Sequence, residues 1–204
     1  MSTKLRLWSI QDVDILKDIK EKGFYFPQDI YTNACRDPET FKVGYDYMAE
    51  NLIKKDKNKG DGNYPIWAFL QPIDLKFFGV KEDDFDLMEM ELLIPEDRIL
   101  LSGFGAYHAV LNNYYCPLND EDYDEHCIKY YGSVDGNKLL PCYTEKMYDE
   151  VVKKSWINIF NIKETPKEDL QACFWKIYKE DIVSVTNIIG GEKSTTPQLI
   201  EKPL

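Results

Sequence analysis

The sequence predicts an α+β fold: a single globular domain over residues 1–189, built on a mixed or antiparallel sheet with helices packed on it. A flexible tail is expected over 190–204. Three observations carry this. Segments with strand and helix patterning alternate early in the chain. Two apolar runs, Leu170 to Tyr178 and Ile182 to Ile188, close it as neighbouring strands. A hydrophobic content of 44% with 14% aromatics is ample for a packed core.

The elements follow in order. Leu5, Leu7, Trp8 and Ile10 form an opening strand, and Gln11, Asp12 and Asp14 place polar and acidic groups in the first turn of a helix. Val13, Leu16 and Ile19 give that helix its apolar stripe; Lys20 and Lys22 suit its last turn, and Gly23 can close it in the left-handed conformation. Phe24 to Phe26 read as a short extended piece ended by Pro27. Asp37 and Pro38 start a second helix with a stripe of Phe41, Tyr45, Met48 and Leu52, which gives way to an exposed polar loop from Lys54 to Asn63. Tyr64 to Leu70 is a short buried strand.

The densest stretch is Asp86 to Tyr115. Leu87 to Ile94 is a strand ended by Pro95, Glu96 and Asp97 make a turn, and Ile99 to Leu101 are a short strand. Ser102 with Gly103 then starts a helix. Cys116 to Pro141 lacks periodicity and reads as a surface excursion. Thr144 caps a long helix that runs through Trp156 to Phe160.

The composition excludes several function classes. Thirty-six acidic against 25 basic residues give a net charge of -11, which repels phosphate backbones and anionic membrane surfaces and disfavours nucleic acid as a partner. No apolar run approaches the roughly 20 residues of a membrane helix. Five cysteines without a CxxC pair, behind an N-terminus with no signal-peptide core, read as a reduced, cytoplasmic protein. Two histidines and no ligand spacing predict no metal site, and no nucleophile-elbow, Walker, dinucleotide or zinc-protease motif is present.

Chemistry is left to a few residues. Glu89 and Glu91, two apart on a strand, point to one side, where one carboxylate can stabilise an oxocarbenium-like centre and the other can assist. A half-exposed strand with its polar face in water has the same pattern. His108 and Asn112, one turn apart, can bind a substrate, or the histidine can bond a neighbouring carbonyl. Trp8, Tyr64 and Trp67 can stack on a nucleobase or nicotinamide, or can fill the core.

At LWSIQ (Leu7 to Gln11), YPIWAF (Tyr64 to Phe69), ELLIPEDRILLSGFGAYHAVLN (Glu91 to Asn112) and LQACFWKIYKEDIVSV (Leu170 to Val185) the chain resembles a bacterial family known as domain of unknown function 3841. That resemblance implies no activity. A second resemblance is to ADP-ribosyltransferase-like folds, whose first strand and helix look like LWSIQ with DILKDIKEKG, and whose Glu-x-Glu strand looks like EMELLIP from Glu89 to Pro95. Ser9 stands where those proteins carry the Arg or His that holds NAD, and no Ser-Thr-Ser segment precedes Glu89.

This second resemblance implies NAD as substrate in a cleft lined by Trp8, Ser9, Gln11, Tyr64 and Trp67. Glu91 and Glu89 would be the catalytic carboxylates, and His108 and Asn112 the substrate side. The alternative is a non-catalytic module holding a small-molecule or protein ligand at the same aromatic cleft or on the acidic surface.

Overall fold

The structure, a computed structural model, describes residues 3–27, 38–59, 64–76, 86–131, 144–163, 165–189 and 191–194. The chain is α+β, as its sequence predicts, and its nine described strands form two antiparallel sheets. The strands are β1 (Lys4–Asp12), β2 (Phe24–Tyr25), β3 (Ile66–Phe69), β4 (Leu87–Pro95), β5 (Leu100–Gly103), β6 (Leu170–Phe174), β7 (Ile177–Tyr178), β8 (Ile182–Ile189) and β9 (Glu192–Lys193). Seven of them lie in the order β5-β6-β3-β1-β4-β8-β9, and β2 with β7 makes a separate two-stranded ribbon.

Five α-helical segments accompany them: α1 (Ile15–Lys22), α2 (Pro38–Lys55), α3 (Phe104–Leu111), α4 (Asp120–Tyr131) and the single turn α5 (Glu145–Met147). Period-two alternation divides the large sheet into two faces. One carries Leu7, Met88, Met90, Leu92 and Ile94 with Ile66, Ala68, Ala172 and Phe174, and packs against Ile15 and Ile19 of α1. Each leucine, isoleucine, methionine or phenylalanine among them contributes about 1.5–3 kcal/mol on burial.

The other face is treated differently along its width. Over β5, β6 and β3, Leu100, Cys173 and Trp67 lie under α2 and α3, with Met48, Leu52, Tyr107, Val110, Trp156 and Ile159 completing a second core. Over β1, β4 and β8 the same face carries Arg6, Trp8, Ile10, Glu91, Leu93, Ser184 and Thr186, each at least partly exposed.

Several local expectations are met. Gly23 closes α1 at φ 83°, its N–H donating to the Ile19 carbonyl at 2.9 Å. Met48 and Leu52 are fully buried on α2; Asp37, the expected cap, lies outside the described residues.

Others are corrected. β1 extends to Asp12, so Gln11 and Asp12 belong to the strand and not to the first helical turn. Ser102 does not start α3: it lies in β5, buried, accepting a 3.1 Å bond from Gln171 Nε2. The N-terminus of α3 is served from far along the chain by the Asp169 carboxylate, which accepts from Gly105 N at 2.9 Å.

The expected excursion over 116–141 contains α4, started by Asn119, whose side chain accepts from Asp122 N at 2.9 Å. The long helix expected after Thr144 is instead a turn of α-helix, a π-helical segment over Tyr148–Lys153 and a 3₁₀ segment over Trp156–Phe160. The single strand expected over Leu170–Tyr178 divides into β6 and β7 in different sheets.

One ion pair ties distant turns together. Arg98, after β4, places two nitrogens on the two oxygens of Asp181 at 3.0 and 2.9 Å, while Asp181 also accepts from Tyr178 N at 3.0 Å. The guanidinium lies 4.5 Å from the Tyr178 ring centre and donates to the Lys176 carbonyl at 2.7 Å.

Candidate functional site

Antiparallel register decides which candidate residues can meet. Trp8 of β1 is the direct partner of Glu91 of β4, and residues directly opposite in an antiparallel pair project to the same side with Cβ atoms about 5 Å apart. The row continues across the sheet: Phe69 of β3 lies opposite Trp8, and Ser184 of β8 lies opposite Glu91. Ordered along it, Phe69, Trp8, Glu91 and Ser184 form a strip that turns from aromatic to polar on the half-open part of the sheet.

Glu91 is held at both oxygens. Arg6, two residues before Trp8 and on the same face, donates Nη1–H to Oε1, and Ser184 Oγ donates to Oε2 at 2.9 Å. The Arg6 side chain is 55% exposed and that of Glu91 21%, so solvent screens the pair and its stability contribution is under about 1 kcal/mol. Its value is positional. The carboxylate is fixed opposite an indole, and among the described residues the guanidinium donates to no acceptor but Glu91.

Glu89 faces the same side one row along but is 7% exposed; its Oε1 accepts from Ile73 N at 2.9 Å and from Lys193 Nζ at 2.7 Å. It thereby joins β4, the segment after β3 and the β8–β9 hairpin.

The other expected residues are distributed. Ser9 and Gln11 project to the opposite face from Trp8, because neighbours along a strand alternate. Ser9 is fully buried, donates Oγ–H to the Trp67 carbonyl at 2.6 Å and accepts from Gln11 Nε2 at 2.7 Å. Trp67 shares the face of Trp8 but sits beneath α2 and α3, its ring 4.9 Å from Tyr107 and 6.1 Å from Tyr45. Tyr64 lies at the same end, edge-on to Tyr45, with its hydroxyl 3.3 Å from Asp46.

His108 and Asn112 are exposed on α3. His108 Nδ1 lies 2.9 Å from the Phe104 carbonyl, and Asn112 Nδ2 donates to the His108 carbonyl at 2.7 Å. The His108 ring meets Phe104 edge-on, and Phe104 meets Phe69 edge-on, so α3 forms a wall beside the Trp8 strip.

Three residues of this site carry no signal that sequence reasoning used. Arg6 is one of 25 basic residues, Ser184 lies 93 positions from Glu91, and Lys193 lies 104 from Glu89. Arg6 alone was discoverable, since i−2 from Trp8 on a strand is the same face.

A hollow of about 420 Å³ lies elsewhere, between α4 and the π-helical segment. His126 lines it, stacked on Tyr115 at 3.8 Å, and burial pushes its pKa below the ordinary 6.5. None of the expected site residues lines it. Among the described residues there is no His/Cys/Asp/Glu group fit to hold a metal ion, and no helix is long and apolar enough to cross a membrane.

These features define an α+β protein with one half-open sheet face bearing an indole, a carboxylate and a guanidinium. Residues 6–183 match the family model described as a domain of unknown function, DUF3841, and the chain belongs to that family. Neither the curated proteins nor the solved structures contain a match to it.

Proposed function

We propose that this chain is an ADP-ribosyltransferase-like protein that takes NAD on the half-open face of β1, β4 and β8. The observation that supports the reading is the direct pairing of Trp8 with Glu91, with Arg6 and Ser184 holding the carboxylate. Arg6 supplies on β1 a cation that the sequence resemblance lacked at Ser9.

In this reading the free N–H donors of Arg6 take a phosphate, the charge-assisted bond that guanidinium favours, and the indole of Trp8 stacks on the departing ring. Glu91, oriented by Ser184, stabilises positive charge developing at the ribose C1′ as the bond to nicotinamide breaks. Nicotinamide leaves with the bonding electrons, and a water or acceptor hydroxyl adds at C1′ and gives up its proton. Glu89, tied to Lys193 and Ile73 N, assists by holding the strand.

A second reading has its own support. Both oxygens of Glu91 are already engaged, which suits a non-catalytic module that binds a small anionic ligand or an acidic protein segment at Arg6 and Trp8.

Calorimetry with NAD and chromatography of released nicotinamide separate the two. The enzyme reading expects binding and release, with Glu91→Gln lowering turnover about 10²–10³-fold and Arg6→Ala weakening binding roughly tenfold. Binding without release, unchanged in Glu91→Gln, selects the module; no binding at all removes NAD from both.

A further inference from the structure

Two features set the hollow between α4 and the π-helical segment apart from an ordinary crevice. Its volume of about 420 Å³ suits a small molecule. One of its walls comes from the π-helical stretch Tyr148–Lys153, a rare and widened form of helix that is frequently found at functional sites.

The inner surface is polar and already ordered. His126, 6% exposed, stacks on Tyr115 with ring centres 3.8 Å apart, and the Tyr130 ring lies 4.7 Å away. Asp122 spends both carboxylate oxygens within the fold, accepting from Tyr115 Oη and from Leu118 N, each at 2.7 Å. Ser155 Oγ accepts from Cys116 N at 2.8 Å and donates to the Val152 carbonyl at 2.6 Å. These bonds fix the shape of the floor.

The charges open to a ligand stand on the two walls. Glu125 and Lys129, one turn apart, are exposed on α4; Glu150 and Lys154 are exposed on the facing segment. Among the described residues Glu125, Lys129 and Lys154 enter no ion pair, and Glu150 meets Lys146 only at 3.9 Å. Each wall therefore presents one carboxylate and one ammonium. A ligand of a single sign meets as much repulsion as attraction here, whereas one that carries both signs is complementary to both walls. A phosphate is opposed further by the net charge of -11.

We propose that this hollow binds a free α-amino acid, its carboxylate held by Lys129 and Lys154 and its ammonium by Glu125 and Glu150. Val151 and the Tyr130 ring give its side chain apolar surface. The site is independent of the NAD reading, since Trp8, Arg6 and Glu91 do not line it.

The chain has two histidines, one in this hollow and one on α3, which makes the test local. The standard amino acids are added in small groups, at fixed pH, to the full chain, and the ring signals of His126 and His108 are followed by nuclear magnetic resonance. Acetate and methylammonium serve as single-charge controls. The proposal expects at least one amino acid to shift His126 saturably and to leave His108 in place, and expects neither control to do so at the same concentration. Lys154→Gln and Glu125→Gln, one on each wall and both at exposed positions, are each expected to weaken that binding about tenfold. The absence of a saturable His126 shift with any amino acid, a shift that acetate or methylammonium reproduces or that His108 shares, or unchanged affinity in the two variants overturns it.

Discussion

At the scale of single residues, Trp8 and Glu91 meet because each sits on the same parity of its strand and the register brings 8 opposite 91. Half of that was legible. The spacing of Glu89 and Glu91 announces one face, but which face, and what it confronts, depends on a pairing between segments some 80 residues apart. For the same reason Ser9, adjacent to Trp8 in sequence, is on the other side of the sheet.

Gly44 shows a residue-scale demand that no pattern announces. A Cβ there would stand 3.1 Å from both Cα and Cδ2 of Leu111. The side-chain atom can yield and the backbone atom cannot, so α2 must lift from α3. Gly44→Ala is expected to cost about 1–3 kcal/mol despite the better helix propensity of alanine. Urea denaturation reads this directly, and a gain in stability would show that the two helices do not press together at this point.

At the scale of elements, α1 was readable because its stripe, its basic last turn and its capping glycine agree with one another. α4 was not. Of its residues only His126 and Cys127 are buried, so it lacks the stripe that marks a helix, and its one usable signal is Asn119 ahead of Asp120, Glu121 and Asp122. The break between β6 and β7 is a tertiary effect: alternation runs on through Trp175 and Lys176, but Ile177 pairs with Tyr25 in the second sheet.

Burial of His126 gives α4 a pH dependence. Its pKa is lowered chiefly by desolvation, with Lys129 adding and Asp122 opposing. Tyr115, Glu125, Glu150 and Lys154 also face the hollow it lines. The unfolded chain then takes up the proton first as pH falls through the ordinary value of 6.5, so stability declines below it and is restored above it. The urea midpoint is expected to drop between pH 7 and 5 in the wild type and to drop less in His126→Phe; equal drops would mean that His126 is not the group responsible.

The turn joined by Arg98 and Asp181 makes a sharper demand. Asp181→Asn leaves the guanidinium near a neutral amide and is expected to cost about 3 kcal/mol, because an uncompensated buried charge remains. An Arg98→Met, Asp181→Asn double variant losing no more than the single one would show that the cost lies in the broken pair.

At the scale of the whole molecule, the fold class was visible in the sequence and the strand order was not. Alternating elements followed by two closing strands imply an α+β domain. Placing β1 at the centre, between β3 and β4, takes contacts from four separated segments. That central position gives the molecule its asymmetry: one sheet face carries the first core, and the other is covered over β5, β6 and β3 and half-open over β1, β4 and β8. A site on this chain is expected where the cover stops, along the line from Phe69 through Trp8 to Glu91.

The most direct measurement is a crystal of the protein soaked with NAD. The account predicts density over the Trp8 indole, with a phosphate on Arg6 and the ribose within hydrogen-bond reach of Glu91. Density elsewhere, such as the hollow beside His126, or an unchanged Arg6–Glu91 pair with nothing bound at saturating NAD, would contradict it.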